Sequence, residues 1–387
     1  MERGPSGRAV IISTVGERAE AFVPTPLPPD PPVDLSGERA LLLERAQVAC
    51  GRLDGLAQLL PDPNLFLYGY VRREAVLSSQ IEGTQSSLSD LLLYEAADAA
   101  GVPIDDVTDV SNYVDALTHG LARMADGFPL SSRLICEVHA RLLARGRGAE
   151  KDPGQIRRSQ NWIGGSRPGN AAFVPPPPGE IAECIAALER FIHARDDGLP
   201  SLVRAALAHV QFETIHPFLD GNGRVGRVLI ALMLADRGLL AQPLLYLSLY
   251  FKQHRKRYYE LLGAIRRSGD WESWLDYFLE GVTATAQQAV ATAQRILELF
   301  RRDELAVAAA GRSLPSLPSV YATLRGRPVT GLAQLAEQAG VAFPTATRAM
   351  DRLTELGIAA ELTGGRRNRL YSYTDYVAIL SEGCEPL

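Results

Sequence analysis

The chain has 387 residues, 46% of them apolar and 22% charged, with a formal net charge of −5. That composition is ordinary for a folded chain of two to four compact units, and it excludes a global basic field for nucleic acid. Its four cysteines, Cys50, Cys136, Cys184 and Cys384, stand far apart with no Cys-x-x-Cys pair, which argues against a zinc site or a disulfide framework.

The N-terminus lacks the apolar core of a signal peptide, so a cytoplasmic protein is expected. Residues 1–34 read as a disordered or Pro-rich leader, with Pro24 to Pro32 an extended linker. Residues 35–115 read as a helical region. Leu41 to Leu60 has helical period and stops at Pro61-Asp62-Pro63. Asn64 to Glu82 follows, with Leu67, Tyr70, Val71, Val76, Leu77 and Ile81 at helical spacing and Gly83 as its stop. A further helix begins near Ser86 to Asp90, and Val107 to Arg123 is helical in period.

Residues 116–240 read as the core. Leu130 to Leu143 is helical, but from Asp152 to Pro178 the helical pattern breaks. There Asn161-Trp162-Ile163 and Ala172-Phe173-Val174 flank a Gly-rich turn, which predicts a β-hairpin. Ile181 to Ala194 and Leu202 to Thr214 are helices again. The longest apolar run, Val228 to Leu240, is broken by Asp236 and Arg237, so no membrane span is expected.

Residues 241–310 read as a helical extension closing the core. It contains the basic, aromatic run Lys252 to Tyr259, read as a solvated helix face, and Trp271 and Trp274 as core anchors. Residues 311–387 read as a separate domain. Leu332 to Ala339 and Pro344 to Leu356 have helix-turn-helix spacing, and a basic hairpin with Arg366 and Arg367 at its tip follows. This resembles bacterial winged-helix domains. On that resemblance DNA would be met through residues 330–373, with Thr345, Thr347 and Arg348 in the major groove. Eight arginines against five acids over 311–380 is modest for DNA, so a protein-docking or structural role is favoured over it.

The chemistry concentrates in twelve residues, His216-Pro217-Phe218-Leu219-Asp220-Gly221-Asn222-Gly223-Arg224-Val225-Gly226-Arg227. His216 can serve as a general base near neutral pH. Asp220 is a hard oxygen ligand suited to Mg²⁺ beside phosphates. Gly221, Asn222 and Gly223 let backbone N–H groups face an anion at the start of the helix that follows. Arg224 and Arg227, three residues apart, share a face above that helix start and suit a polyphosphate. No Gly-Lys pair exists for a Walker A loop, and no strand leads into the turn as a dinucleotide fingerprint requires.

This string resembles the motif of Fic-domain proteins, His-x-Phe-x-Asp/Glu-Gly-Asn-Gly-Arg-x-x-Arg, at every specified position. The resemblance implies transfer of AMP from ATP to a Ser, Thr or Tyr hydroxyl of a protein, with release of diphosphate. It implies that His216 deprotonates the hydroxyl and that Asp220 holds Mg²⁺. Gly221, Asn222 and Gly223 would form the anion hole, Arg224 would contact the phosphates, and Arg227 would pair with the γ-phosphate. Gly223 separates the chain from the Doc-like kinases, which carry a Lys there. The hairpin would be a flap, with Ile163, Phe173 and Val174 positioning a target segment by strand addition. Tyr258 or Tyr259 would line the base pocket.

Upstream, Ser78-Ser79-Gln80-Ile81-Glu82-Gly83 resembles the Ser/Thr-x-x-x-Glu-Gly/Asn signature of the Fic inhibitory helix. Ser78, Glu82 and Gly83 carry the match. Glu82 would take Arg227 away from the γ-phosphate and hold the enzyme off. The fold implied is mainly α, with a Fic helical core, a flap hairpin and a C-terminal winged helix. Self-modification and a homodimer are compatible with the resemblance, though the motifs show neither. Two alternatives remain: a winged-helix regulator using a Fic core as a sensor, and an enzyme whose main reaction is removal of AMP. The intact motif places transfer ahead of the sensor reading.

Overall fold

The computed structural model describes residues 3–14, 17–59, 63–97, 104–195, 197–364 and 368–386. It opens with an antiparallel hairpin, β1 (Gly7–Thr14) and β2 (Glu17–Pro24), in which Gly7 pairs Pro24 and Thr14 pairs Glu17. The expectation of a disordered leader fails here. Ala19, Ala21 and Val23 alternate onto one buried face, and a period of two is enough to seat a short strand against the core. The proline-rich stretch beyond it is not helical, as expected.

Five helices follow: α1 (Glu38–Leu59), α2 (Pro63–Ile81), α3 (Leu88–Ala97), α4 (Ile104–Ala125) and α5 (Ser132–Leu142). Ser87 caps α3: its Oγ accepts from the Asp90 N–H while Asp90 accepts from the Ser87 N–H. Ser131 caps α5 by accepting from the Leu134 N–H. The boundary expected at 115/116 falls inside α4, so the N-terminal region and the core share that helix.

Next come α6 (Pro178–His193), α7 (Ser201–Ile215) and α8 (Asn222–Asp236). From Leu202 to Ile215 every residue of α7 is buried, which makes it the central helix of the molecule. The basic aromatic run is split at His254 into α9 (Ser248–Gln253) and α10 (Arg255–Ser268). Then α11 (Trp271–Gly311) runs 41 residues, capped by Asp270, and packs along α1.

The C-terminal part is α12 (Leu317–Gly326), β3 (Val329–Gly331), α13 (Leu332–Gln338), α14 (Phe343–Glu355), β4 (Ala359–Glu361), β5 (Leu370–Tyr373) and α15 (Thr374–Ser381). Three helices, α12 to α14, pack together beside an antiparallel sheet of order β3-β5-β4. Arg366 and Arg367 lie outside the described residues. This part is less separate than expected. Phe300 of α11 meets the rings of Tyr373 and Tyr376, and the buried Tyr373 hydroxyl donates to Asp303 at 2.6 Å. One apolar core runs from Val23 to Cys384. No described helix is long and apolar enough to cross a membrane.

Candidate active site

The site is built where α7 ends. His216 caps that helix in the left-handed region, φ 49° and ψ 61°, a conformation costing on the order of 1 kcal/mol for a residue with a Cβ. The surrounding structure holds it there. The Arg157 Nε donates to the His216 carbonyl at 2.8 Å, and the Arg157 N–H donates to the Pro217 carbonyl at 2.9 Å. Its other two nitrogens donate to the carbonyls of Ser159 and Pro176, at 3.0 and 2.6 Å. Arg157 therefore ties both legs of the flap to the base. It is buried with no carboxylate in ion-pair range among the described residues, and burial pulls its pKa down to about 10.

The turn after His216 is fixed from three directions. Asn222 accepts from the Phe218 N–H and donates to the Phe218 carbonyl, both at 2.9 Å. Asn161 donates to the carbonyls of Phe218 and Leu219. His139 of α5 stacks on Phe218 with ring centroids 3.7 Å apart. Its Nδ1 accepts from the Gly154 N–H at 2.8 Å, so its Nε2–H donates to the Asp220 carbonyl at 3.1 Å. Burial lowers His139 to about 4, which keeps this neutral tautomer in place at neutral pH. Phe218 is a buried anchor, as expected.

Gly221, φ 75°, turns the chain into α8, whose first N–H groups have no partner within the helix. Asp220 is half-buried beside that turn. One oxygen accepts from the Gly221 N–H at 2.6 Å; the other faces Gly148, where a Cβ would stand 3.0 Å away. Among the described residues there is no cluster of three or more metal-binding side chains. A lone carboxylate at a helix start fits a Mg²⁺ ion held mainly by phosphates and water. Arg224 is buried, with Nη1 3.5 Å from Asp109 of α4, and its Nε and Nη1 make no hydrogen bond. Those unspent donors fit an incoming phosphate. Asp109 also lies 3.6 Å from Arg147, and its burial pushes its carboxyl up against the pull of Arg224.

Arg227 faces the end of α2. Its Nη2 donates to Glu82 Oε1 at 2.7 Å and to the Ser78 carbonyl at 3.0 Å, and its Nε donates to Ser78 Oγ at 2.7 Å. Gly83, φ 100°, ends the helix just beyond. Burial pushes the Glu82 carboxyl up, but the Arg227 charge outweighs it and holds the group below the usual carboxylate range. The Glu82 side chain stays 32% exposed, so the pair has one open edge, whereas that of Arg227 is 2% exposed. A Cβ on Gly223 would stand 2.2 Å from Glu82 Oε1. The carboxylate thus rests on the first turn of α8, where an anion would bind.

His216 itself is half-buried, and its Nδ1 falls short of a full hydrogen bond to the Glu213 carbonyl. Burial first, then the cations Arg266 and Arg157, lower it to about 3. It is neutral at physiological pH and free to take a proton. Behind it lies Glu213, buried with Oε1 unpartnered and pushed by burial to about 7.

The flap is smaller than the sequence predicts: Ile163 and Phe173 exchange two backbone bonds, 2.8 and 3.1 Å, as a single bridge. Arg266 lies over the Phe173 ring at 3.7 Å. The Val174 carbonyl accepts from the Phe22 N–H of β2, so part of the flap edge is covered by the N-terminal hairpin. Tyr258 is in the aromatic core rather than at a pocket mouth. Its hydroxyl donates to His209 Nε2 at 2.8 Å, while His209 Nδ1–H donates to the Gly226 carbonyl at 3.0 Å. Tyr259 is 44% exposed. Sequence reading missed His139, Asn161, Asp109, Arg157 and Arg266 as members of the site.

The Fic/DOC family N-terminal model matches residues 40–122, and the Fic/DOC family model matches residues 129–234. The protein adenylyltransferase Fic of Drosophila yakuba is 30% identical over 185 residues, 47% of this chain and 34% of that protein. The protein of the same name from Culex quinquefasciatus is 34% identical over 137 residues, 35% of this chain and 24% of that one. The chain thus spans about a third or less of these relatives. A Fic family protein from Desulfovibrio desulfuricans G20 superposes with a TM-score of 0.56 at 18% identity, covering 89% of this chain and 98% of that one. A Fic domain containing signaling protein from Bacteroides thetaiotaomicron gives 0.51 at 18%, covering 64% and 95%. At those identities the likeness is one of fold.

Proposed function

We propose, from the match of the Fic/DOC family N-terminal model to residues 40–122 and of the Fic/DOC family model to residues 129–234, that the chain transfers AMP from ATP to a Ser, Thr or Tyr hydroxyl of a protein, itself included. Glu82 keeps the resting enzyme off. The observation that carries this reading is Glu82 itself, paired with Arg227 and lying over Gly223 at the start of α8. A carboxylate there stands in for a phosphate and marks what the site is built to hold.

With Glu82 withdrawn, Arg227 pairs with the γ-phosphate. The first N–H groups of α8 and the unspent donors of Arg224 hold the α- and β-phosphates. His216, neutral at working pH, takes the proton of the target hydroxyl. The hydroxyl oxygen bonds to the α-phosphorus, the bond from that phosphorus to the bridging oxygen breaks, and diphosphate leaves with the electron pair. Asp220 would hold Mg²⁺, which offsets the charge growing on the leaving group. Arg157, the Asn222 side chain and His139 keep the His216 turn in place. The Ile163–Phe173 bridge presents the target segment. Residues 317–373 act as a winged helix that docks a protein partner, a role favoured over DNA by the modest excess of arginines over acids in that part of the chain.

The test is the Glu82→Gly protein incubated with Mg²⁺ and ATP labelled at either the α or the γ phosphorus. Label should enter protein from the α position alone and vanish in Glu82→Gly with His216→Ala. Label arriving from the γ position would make the reaction a kinase reaction and sink the proposal.

A further inference from the structure

The last turn of α2 is gripped on two sides. Arg227 holds Ser78 and Glu82 from the site. From the opposite side it is held by residues 380–385, the end of α15 and the turn after it. The Gln80 Nε2, buried two residues before Glu82, donates to the Cys384 carbonyl at 2.8 Å and to the Ser86 carbonyl at 2.9 Å. Arg73, one helical stretch earlier and fully buried, donates to the Glu382 carbonyl. Its Nε and Nη1 have no partner, so this carbonyl is its main polar contact. Lys252 of α9 donates to the carbonyls of Gly383 and Glu385. The Leu380 side chain packs so tightly on α2 that a Cβ on Gly69 would stand 2.8 Å from it.

We propose that residues 380–385 are a latch on the inhibitory helix, and that drawing this segment away frees Glu82 from Arg227. The contacts explain why the two ends would move together. Gln80, Arg73 and Lys252 are buried donors, and what they meet in 380–385 is backbone carbonyl. Losing the segment takes their acceptors from Arg73 and Lys252 and leaves Gln80 with the Ser86 carbonyl alone, which is costly in a low dielectric, so the turn that carries Glu82 gives way with it. The segment continues from α15, which packs against α2, α3, α11 and β5. An event in residues 317–381 therefore has a short mechanical path to Glu82. This rests on the reading of Glu82 as an inhibitor.

Two variants of the full chain test it from opposite sides. Gln80→Leu removes one of the two α2 side chains that donate to the segment, at similar volume. Gly383→Val strains a residue at φ 79° and drives a Cβ, 3.1 Å from Leu249, into α9. Amide hydrogen exchange over residues 78–86 should speed up by about tenfold or more in each. Labelling from α-labelled ATP should rise toward the Glu82→Gly level and gain nothing further when combined with it. Unchanged exchange in both variants overturns the latch. So does faster exchange with wild-type labelling while Glu82→Gly labels. If Glu82→Gly itself takes up no label, the transfer reading has failed, and exchange alone still decides whether the segment holds the helix.

Discussion

Arg157 is the residue whose removal should cost most for the least change at the reacting atoms. Arg157→Met strips a charged donor from three carbonyls, those of His216, Ser159 and Pro176. Each such bond is worth about 1.5–3 kcal/mol, but the guanidinium is buried without a counter-charge, and removing it recovers a few kcal/mol of desolvation. The net loss should be about 2–4 kcal/mol in chemical denaturation. In the Glu82→Gly background the labelling rate should fall by about a hundredfold, because the left-handed His216 loses its backbone tether. Arg157→Lys keeps the charge but not the fork, and should recover only part of either loss. A stability within about 0.5 kcal/mol of wild type, with labelling intact, would refute the tether.

Arg266 also depresses His216, so Arg266→Gln should raise its pKa and move the acid limb of the pH–rate profile to higher pH; an unmoved limb contradicts the assignment. Glu213, pushed to about 7, favours the protonated native state, a contribution complete below pH 4.5 and lost as pH rises through 7. Glu213→Gln should therefore stabilise the protein by about 3 kcal/mol at pH 8 and by nothing below about pH 4.5, as read by denaturation at both. Tyr258→Phe leaves the buried His209 Nε2 without its donor and should cost about 1–2 kcal/mol of stability.

How much was legible in the sequence follows from distance along the chain. The His216 string is contiguous, so its turn, helix start and two arginines could be read together. Glu82 is far off in sequence, but Ser78 and Glu82 one turn apart before Gly83 left a local mark. Arg157, Asn161 and His139 act on the turn after His216, and Asp109 on Arg224, from three other segments. Nothing in their spacing says that they converge on one site. The N-terminal hairpin was missed for a different reason: Ala19 and Ala21 are weakly apolar, so the alternation was faint beside the proline-rich stretch. The resemblance alone put Tyr258 or Tyr259 at the base pocket, whereas the Tyr258 ring is buried in the core.

The most direct test of the account compares the rates of label incorporation from α-labelled ATP by the wild type and by Glu82→Gly, under equal Mg²⁺. A partly buried pair broken on one side is worth a few kcal/mol, so the account predicts a rise of about a hundredfold or more. Equal rates would contradict it, since Glu82 could not then be what keeps Arg227 from the nucleotide.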